Sequence, residues 1–348
     1  MLYSLQYLRA TAATMVVLYH IGLIFGSDWR GLAAGVDIFF VISGFIMWYI
    51  TTGKRPPSVK RFLLDRAVKV VPPYWIFTLV FAGAAMVTPP AIFSWTLNFP
   101  ELLKSLLFVP YFSSAEKLEP VLGVGWTLNF EIYFYLIFAV ALIIPAKNRL
   151  AFILTFLTAC AAMSIVGFEN AILKTYTSPL VLEFAGGVLI AVWLRSGGRL
   201  PTVVGALLIL AGALAILTDG GDGSHSWAMR VIRFGLPAIM IVLGCLVIER
   251  NKKPEPIEWL KFLGDASYSI YLTHIITIEV FKYVFSKLGL ERWGSSVTQQ
   301  SVMYLITLAA CMAVGIACYK LVEEPMHNWM RRRVSTNRVA PETAGVHR

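Results

Sequence analysis

The chain reads as a succession of apolar runs separated by short polar connections. Runs with few charges lie at about 5–25, 34–52, 72–89, 122–144, 150–168, 178–194, 201–218, 231–249, 266–286 and 300–321. A helix needs about 20 apolar residues to cross the hydrocarbon core of a bilayer. The pattern therefore predicts ten membrane-spanning helices. Gly and Pro interrupt several of them, which a membrane helix tolerates when its neighbours satisfy the freed backbone groups. In the connection at about 90–120, Leu102, Leu103, Leu106 and Leu107 recur at one-face helical spacing, predicting a short helix that lies along the membrane surface. The stretch from Asp219 to His225 reads as a flexible Gly/Asp turn, because the ligand register of a calcium loop is missing.

Composition agrees with this pattern. Of 348 residues, 57% are hydrophobic and 14% charged, against roughly 45–50% and about 25% in soluble domains. A soluble enzyme with one core and a solvated shell is excluded. The net charge of +10 would suggest nucleic acid in a soluble protein. In a membrane protein it is expected from cytoplasmic loops, which collect Lys and Arg, so no nucleic-acid partner is predicted. Ten spans place both termini on one side. The connections on that side, with the C-terminal tail, hold 19 Lys and Arg, and the opposite set holds six. Both termini are therefore expected in the cytoplasm. The fold class is an all-α integral membrane protein, a bundle of about ten transmembrane helices over residues 1–325, followed by a basic, disordered tail over 326–348.

The N-terminal run has no basic leader and no small-residue cleavage site, and it carries Arg9 and His20, so it reads as a retained first helix. Cys160, Cys245, Cys311 and Cys318 sit inside apolar runs without metal-site spacing and read as small apolar residues. No metal is expected. No repeat relates the two halves, which weighs against a transporter built by duplication.

A charge in the bilayer centre costs roughly 2.5–3.5 kcal/mol or more, so each one draws attention. The charges within the predicted spans are Arg9, His20, Asp37, Glu131, Glu183, Arg233, His274, Glu279 and Lys282. Arg9 and His20 are eleven residues apart, about 20° past three full helical turns and about 16 Å along the axis. They project from one face, with Ala13 and Val16 between them. An imidazole there can accept and return a proton near neutral pH. The plain alternative is a helix-packing histidine bonded to a neighbouring backbone.

Glu131 has Thr127 and Tyr135 one turn away on its own face, a carboxylate flanked by hydroxyls that could orient an imidazole or bind a sugar hydroxyl. It could equally be a structural partner for a buried Arg. Asp37 opens the second span, where Ser43 and Gly44 permit close helix approach. Ser267, Tyr271 and His274 form a polar stripe that either lines a cavity or bonds helices together. Glu279 and Lys282 are one turn apart and expected to pair. Arg61, Arg66 and Lys69 precede Val-Val-Pro72-Pro73-Tyr74-Trp75. The Pro pair is expected to fix the entry into the third span. Arg66 and Lys69, one turn apart, could hold a phosphate or simply mark the cytoplasmic side.

Taken in order, these landmarks resemble a known family. They are the R-x10-H pair Arg9 and His20, Gly35-Val-Asp37-Ile-Phe-Phe-Val-Ile-Ser43-Gly44, the R-x-x-R-like Arg66 and Lys69 before Pro-Pro-Tyr-Trp, Trp126-Thr-Leu-Asn-Phe-Glu131, and Ser267-Tyr-Ser-Ile-Tyr271-Leu-Thr-His274. The ordered set, from about residue 4 to Glu323-Glu324-Pro325, is similar to the family-three bacterial membrane acyltransferases, and most similar to members that O-acetylate exopolysaccharide.

The resemblance implies an acyltransferase domain over 1–325 in the bacterial inner membrane. It also implies acetyl-CoA as cytoplasmic acyl donor, and a lipid-linked or exported polysaccharide as acceptor, with membrane lipids and exopolysaccharide assembly proteins as further partners. His20 would be catalytic with support from Glu131. Arg9, Arg66 and Lys69 would bind the donor. Asp37, Trp126, Tyr135, Tyr271 and His274 would bind substrate. Lys69 departs from the family pattern, since Lys lacks the bidentate fork of Arg. Some relatives add a C-terminal esterase-like domain. Here about 25 residues follow the last span, so transfer is expected to finish in the membrane domain or pass to a partner. The alternative to acyl transfer is a transporter or flippase using the same buried charges as a solute path.

Overall fold

The computed structural model describes residues 2–27, 29–53, 56–87, 98–218, 226–289 and 296–336, with side chains to 330. The described residues are helical, with no strand. In chain order the α-helices are α1 (Tyr3–Phe25), α2 (Gly35–Thr51), α3 (Val59–Val87), α4 (Phe99–Leu106), α5 (Trp126–Ile143), α6 (Ala146–Met163), α7 (Ala171–Tyr176), α8 (Val181–Arg195), α9 (Thr202–Leu217), α10 (Trp227–Arg230), α11 (Leu236–Lys252), α12 (Glu258–Lys287), α13 (Val297–Cys318) and α14 (Glu324–Thr336). Two π-helical turns, Val231–Gly235 and Tyr319–Glu323, lead into α11 and α14.

Each of the ten apolar runs falls on a helix, as hydrocarbon requires when no water is present to satisfy the backbone. Eight helical stretches among the described residues are long and apolar enough to cross a membrane. Thr202–Leu217 is apolar but shorter. Helix α12, whose ends carry Glu258, Lys261, Asp265, Lys282 and Lys287, is not among the eight. The Gly/Asp turn expected at 219–225 lies outside the described residues, as do 337–348.

One boundary differs from expectation. Helix α3 begins at Val59, and Pro72 and Pro73 lie inside it rather than at its entry. Arg61, Arg66 and Lys69 are therefore helical residues and not loop residues. A proline inside a helix has no N–H to donate, so the carbonyls of Val68 and Lys69 lose their usual partners. Nearby, the Tyr268 hydroxyl donates to the Val70 carbonyl at 2.7 Å. The proline pair thus loosens the backbone beside the charged residues.

Helix α1 packs against α12 and α2, α2 against α8, α9 against α11, and α12 against α13. Small residues set two of these approaches. A Cβ on Gly44 would stand 2.1 Å from the Phe184 carbonyl oxygen, and one on Gly187 would stand 2.0 Å from that of Val41, so α2 and α8 touch backbone to backbone. A Cβ on Gly264 would stand 2.2 Å from the Gln6 carbonyl oxygen, so α12 crosses α1 closely one turn before Ser267.

The short helix expected from the leucine pattern is α4. Asn98 caps it by accepting the Glu101 N–H at 3.4 Å. Leu103 and Leu107 are exposed, while Glu101 and Ser105 are buried. Glu101 accepts from Ser114, and the Ser105 hydroxyl meets Tyr111 at 2.8 Å and accepts the Val121 N–H at 2.9 Å. The polar face pins the following loop, while Leu103 and Leu107 face outward and Leu102 packs against the core. All four cysteines are free.

Candidate active site

A central cavity of about 90 Å³ lies between α1, α2, α3, α5 and α12. Its lining includes Arg9, Arg66, Lys69, Glu131, Tyr135 and Tyr271. A second cavity, of about 370 Å³, opens where α1 begins and is lined by Gln6, Asp65, Asp265, Glu323, His327 and others. Arg9, Arg66 and Lys69 line both. The three cations therefore stand between the end vestibule and the central cavity.

Each cation is held differently. Arg9 donates from Nε and Nη2 to the Ser267 hydroxyl at 3.2 and 3.1 Å, a contact that the close α1–α12 crossing permits. Lys69 is crowded by Arg9 and Arg66, with Glu323 and Glu131 as the nearby carboxylates. Three cations against two carboxylates leave an excess of positive charge. Arg66 Nε is buried without a hydrogen-bond partner. A buried donor left unmade costs about 1–3 kcal/mol, so this neck suits a ligand bearing anionic oxygens. Asp65 and Glu324, which also line the vestibule, are already paired with Arg61 at 2.8 Å and Lys320 at 2.9 Å.

Glu131 accepts a short hydrogen bond from the Tyr135 hydroxyl. Thr127 turns elsewhere: its hydroxyl donates to the Val124 carbonyl at 3.1 Å and meets the Tyr271 hydroxyl at 2.9 Å. Of the two hydroxyls expected around Glu131, only Tyr135 engages it. Glu323 was not singled out from the sequence. It is buried, accepts from the Ser269 hydroxyl at 2.5 Å, and lies on the π-helical turn that follows α13.

His20 and His274 are not among the residues lining the central cavity. The Tyr271 ring, which does line it, packs on His274 with centroids 5.8 Å apart, and His274 packs on His20 at 4.9 Å. Phe39 closes edge-on against Tyr271 at 6.0 Å. His274 is fully buried. Its Nε2 lies 3.2 Å from His20 Nδ1, and the same His20 nitrogen lies 2.9 Å from the Val16 carbonyl oxygen. A carbonyl only accepts, so these partners assign the His20 proton to Nδ1 and leave Nε2 with its lone pair. His274 Nε2 must then be unprotonated, and its own proton sits on Nδ1. That nitrogen is near the Ile270 and Tyr271 carbonyls but makes no well-aligned hydrogen bond. The structure thus places His274 against His20, where it orients the imidazole.

Asp37 is fully buried and accepts from Arg230 with both oxygens, from Nε at 3.1 Å and Nη2 at 2.7 Å. Arg230 also donates to the Ala33 carbonyl at 3.2 Å. In the sequence Arg230 falls in the connection just before the apolar run at 231–249, among the charges that set topology. Glu183, also fully buried, lies beside Asp37 and against Gly235, with no well-aligned hydrogen bond to either carboxylate oxygen. Trp126 is set apart from the central cavity. Its ring packs on Trp227 at 5.6 Å and under the Arg230 guanidinium at 5.9 Å. Glu279 and Lys282 lie 3.9 Å apart as expected. Among the described residues no His, Cys, Asp and Glu group is arranged to hold a metal ion.

A helical membrane bundle with a cation-lined neck, an interior cavity and an oriented imidazole defines a class of integral membrane enzyme. Comparison with known proteins supplies the family. The profile of the family described as "Acyltransferase domain" matches residues 2–320. The chain belongs to this family and is an acyltransferase.

It is 36% identical over 334 residues to the exopolysaccharide production protein ExoZ of Rhizobium meliloti (strain 1021), covering 94% of this chain and 99% of that protein. It is 28% identical to the putative membrane-bound transacylase BcsY of Komagataeibacter xylinus, covering 91% of this chain and 80% of that one. It is 24% identical to the peptidoglycan O-acetyltransferase OatA of Listeria monocytogenes, covering 93% of this chain and 55% of OatA. No solved structure matches.

Proposed function

We propose that the protein transfers an acetyl group from cytoplasmic acetyl-CoA to a hydroxyl of an exopolysaccharide or lipid-linked glycan, across a bacterial inner membrane. The observation that carries this reading is the arrangement on α1. Arg9 stands in the neck between vestibule and cavity, and His20 has Nδ1 engaged and Nε2 free. The names of the relatives support a polysaccharide acceptor, one being an exopolysaccharide production protein and another a peptidoglycan O-acetyltransferase. The bias of Lys and Arg between the two sets of connections supports a cytoplasmic vestibule and cytoplasmic termini.

Arg9, Arg66 and Lys69 bind the anionic part of the donor in the neck. The carbonyls freed by Pro72 and Pro73 lie beside that path. His20 Nε2 takes the proton of the acceptor hydroxyl. The hydroxyl oxygen forms a bond to the acyl carbon, the carbon–sulfur bond breaks, and the thiolate leaves and is reprotonated as His20 gives up its proton. A general base of this kind contributes about 100- to 10,000-fold in rate. His274 and the Val16 carbonyl keep the tautomer that leaves Nε2 available, and Glu131 and Tyr135 set the polarity of the cavity between neck and imidazole.

The test supplies the purified full chain with labelled acetyl-CoA and deacylated glycan extracted from the source membrane. Label in the glycan, with one acetyl mass added per site, is the expected result. Unlabelled glycan with intact donor would remove the reading.

A further inference from the structure

At the end of the bundle where α1 begins, a third recess of about 600 Å³ lies among the last turns of α2, α8 and α11. Leu2 and Tyr3 line it, whereas Gln6 and Arg9, a turn or two further along α1, line the vestibule. The start of α1 thus divides the two. Arg195, Arg250 and Lys253 bring three cations to the recess, and Glu249 is the one carboxylate among its lining residues.

Glu249 is already committed to α1. It is buried, its Oε1 accepts the Tyr3 N–H at 2.6 Å, and its Oε2 accepts the Ser4 N–H at 3.1 Å and a short hydrogen bond from the Ser4 hydroxyl. The two guanidiniums are pinned by helix ends. Arg195 lies over the Tyr49 ring at 4.4 Å and donates from Nη2 to the Tyr49 carbonyl. Arg250 donates from Nη1 to the Leu194 and Gly198 carbonyls at 3.1 and 2.8 Å. These contacts use one terminal nitrogen of each fork, so Nε and the other terminal nitrogen of each remain to bind a ligand. Lys253 is exposed and ends α11 at φ 46°, with its N–H donating to the Glu249 carbonyl at 2.8 Å. That left-handed position favours Gly or Asn, so the backbone alone does not account for a lysine there. Leu2, Leu194 and Pro254 give the recess apolar walls. Tyr49 and Ile50 stay 37% and 36% exposed, so apolar surface continues out of the recess along α2. An excess of cations beside apolar surface at the helix ends matches the charged head and upper acyl chains of an anionic lipid. A soluble phosphate would use the cations alone.

We propose that this recess binds the phosphate head of an anionic phospholipid from the leaflet at the vestibule end of the bundle. The phosphate takes the remaining N–H groups of Arg195 and Arg250, with Lys253 as the third cation at the rim. The site is separate from the donor neck and does not depend on the acyl donor or acceptor proposed above.

The test uses the purified, delipidated full chain in a neutral detergent, with lipid binding read by native mass spectrometry. The probes are phosphatidylglycerol, phosphatidylcholine and the soluble head group glycerophosphoglycerol. Phosphatidylglycerol is expected to bind about tenfold or more tighter than phosphatidylcholine, because each cation at a lipid surface contributes about fivefold for an anionic head. Arg195→Gln and Lys253→Gly are each expected to lower the phosphatidylglycerol affinity by about fivefold and to leave phosphatidylcholine binding unchanged. Lys253→Gly also relieves the left-handed position, so the melting temperature of the lipid-free variant should stay close to or above the parent value. That separates lost lipid from lost fold if Arg195→Gln fails to fold. Equal binding of the two lipids, or phosphatidylglycerol affinity unmoved in both variants, overturns the proposal. Glycerophosphoglycerol that displaces the lipid with equal affinity also overturns it, by assigning the recess to a soluble phosphate ester.

Discussion

His274 Nε2 and His20 Nδ1 lie 3.2 Å apart, although 254 residues separate them. The contact joins the ninth apolar run to the first and makes His274 the residue that orients the imidazole. A single neutral hydrogen bond is worth about 0.5–1.5 kcal/mol. His274→Ala is therefore expected to lower kcat by up to about tenfold with donor KM unchanged. His274→Gln, whose carbonyl oxygen can accept from His20 Nδ1, is expected to recover part of the loss. Steady-state kinetics with labelled donor separates the two variants, and equal loss in both would remove the orienting role.

The neck cations predict a different kinetic signature. Arg66 presents a buried Nε without a partner and lines both cavities. Arg66→Gln should raise donor KM by about tenfold or more, the loss of one charge-assisted contact. Lys69→Arg restores the fork that the family pattern carries and should keep or lower donor KM. The check is a donor titration at saturating acceptor. An effect of Arg66→Gln confined to acceptor KM would contradict the assignment.

Asp37 and Arg230 predict stability. Breaking a buried ion pair from one side leaves an uncompensated charge and costs about 3–5 kcal/mol. Asp37→Asn should lower the detergent-solubilised melting temperature markedly. Pairing it with Arg230→Gln, which removes the orphaned charge, should regain much of the loss. A double-mutant cycle by thermal unfolding decides this, and additive losses would show the two residues act independently.

The α2–α8 crossing gives a packing prediction. A Cβ at position 187 would stand 2.0 Å from the Val41 carbonyl oxygen. Gly187→Ala should therefore force the helices apart and destabilise by about 1–3 kcal/mol. Gly83, with open space around it, is the control: Gly83→Ala should leave the melting temperature unchanged or raise it slightly.

Much of this was legible because the chain is apolar. In such a background Arg9, Arg66, Lys69, Glu131, Tyr135 and Tyr271 stand out, and the structure brings all six onto one cavity. The apolar runs mark helices because lipid leaves the backbone no other way to satisfy itself, and eight helical stretches among the described residues are long and apolar enough to cross a membrane. What remained hidden depends on contacts across the bundle. Helical periodicity places His20 on the face of Arg9, but it cannot show that His274 lies beside it. Arg230 was indistinguishable from a topology-setting loop charge until Asp37 was seen beneath it. Pro72 and Pro73 read as a helix start, since a proline costs least there, and only the packing of α3 shows them inside the helix. Glu323 lies at the end of an apolar run and gave no sign of facing Ser269.

The central claim is that His20 Nε2 is the base that accepts the hydroxyl proton. The direct measurement is transfer of labelled acetyl from acetyl-CoA to deacylated glycan by purified His20→Ala protein, with insertion, melting temperature and oligosaccharide binding compared with the parent chain. The account predicts a fall in turnover of about 100- to 10,000-fold with those three properties retained. Transfer at the parent rate in a correctly inserted His20→Ala protein would contradict it.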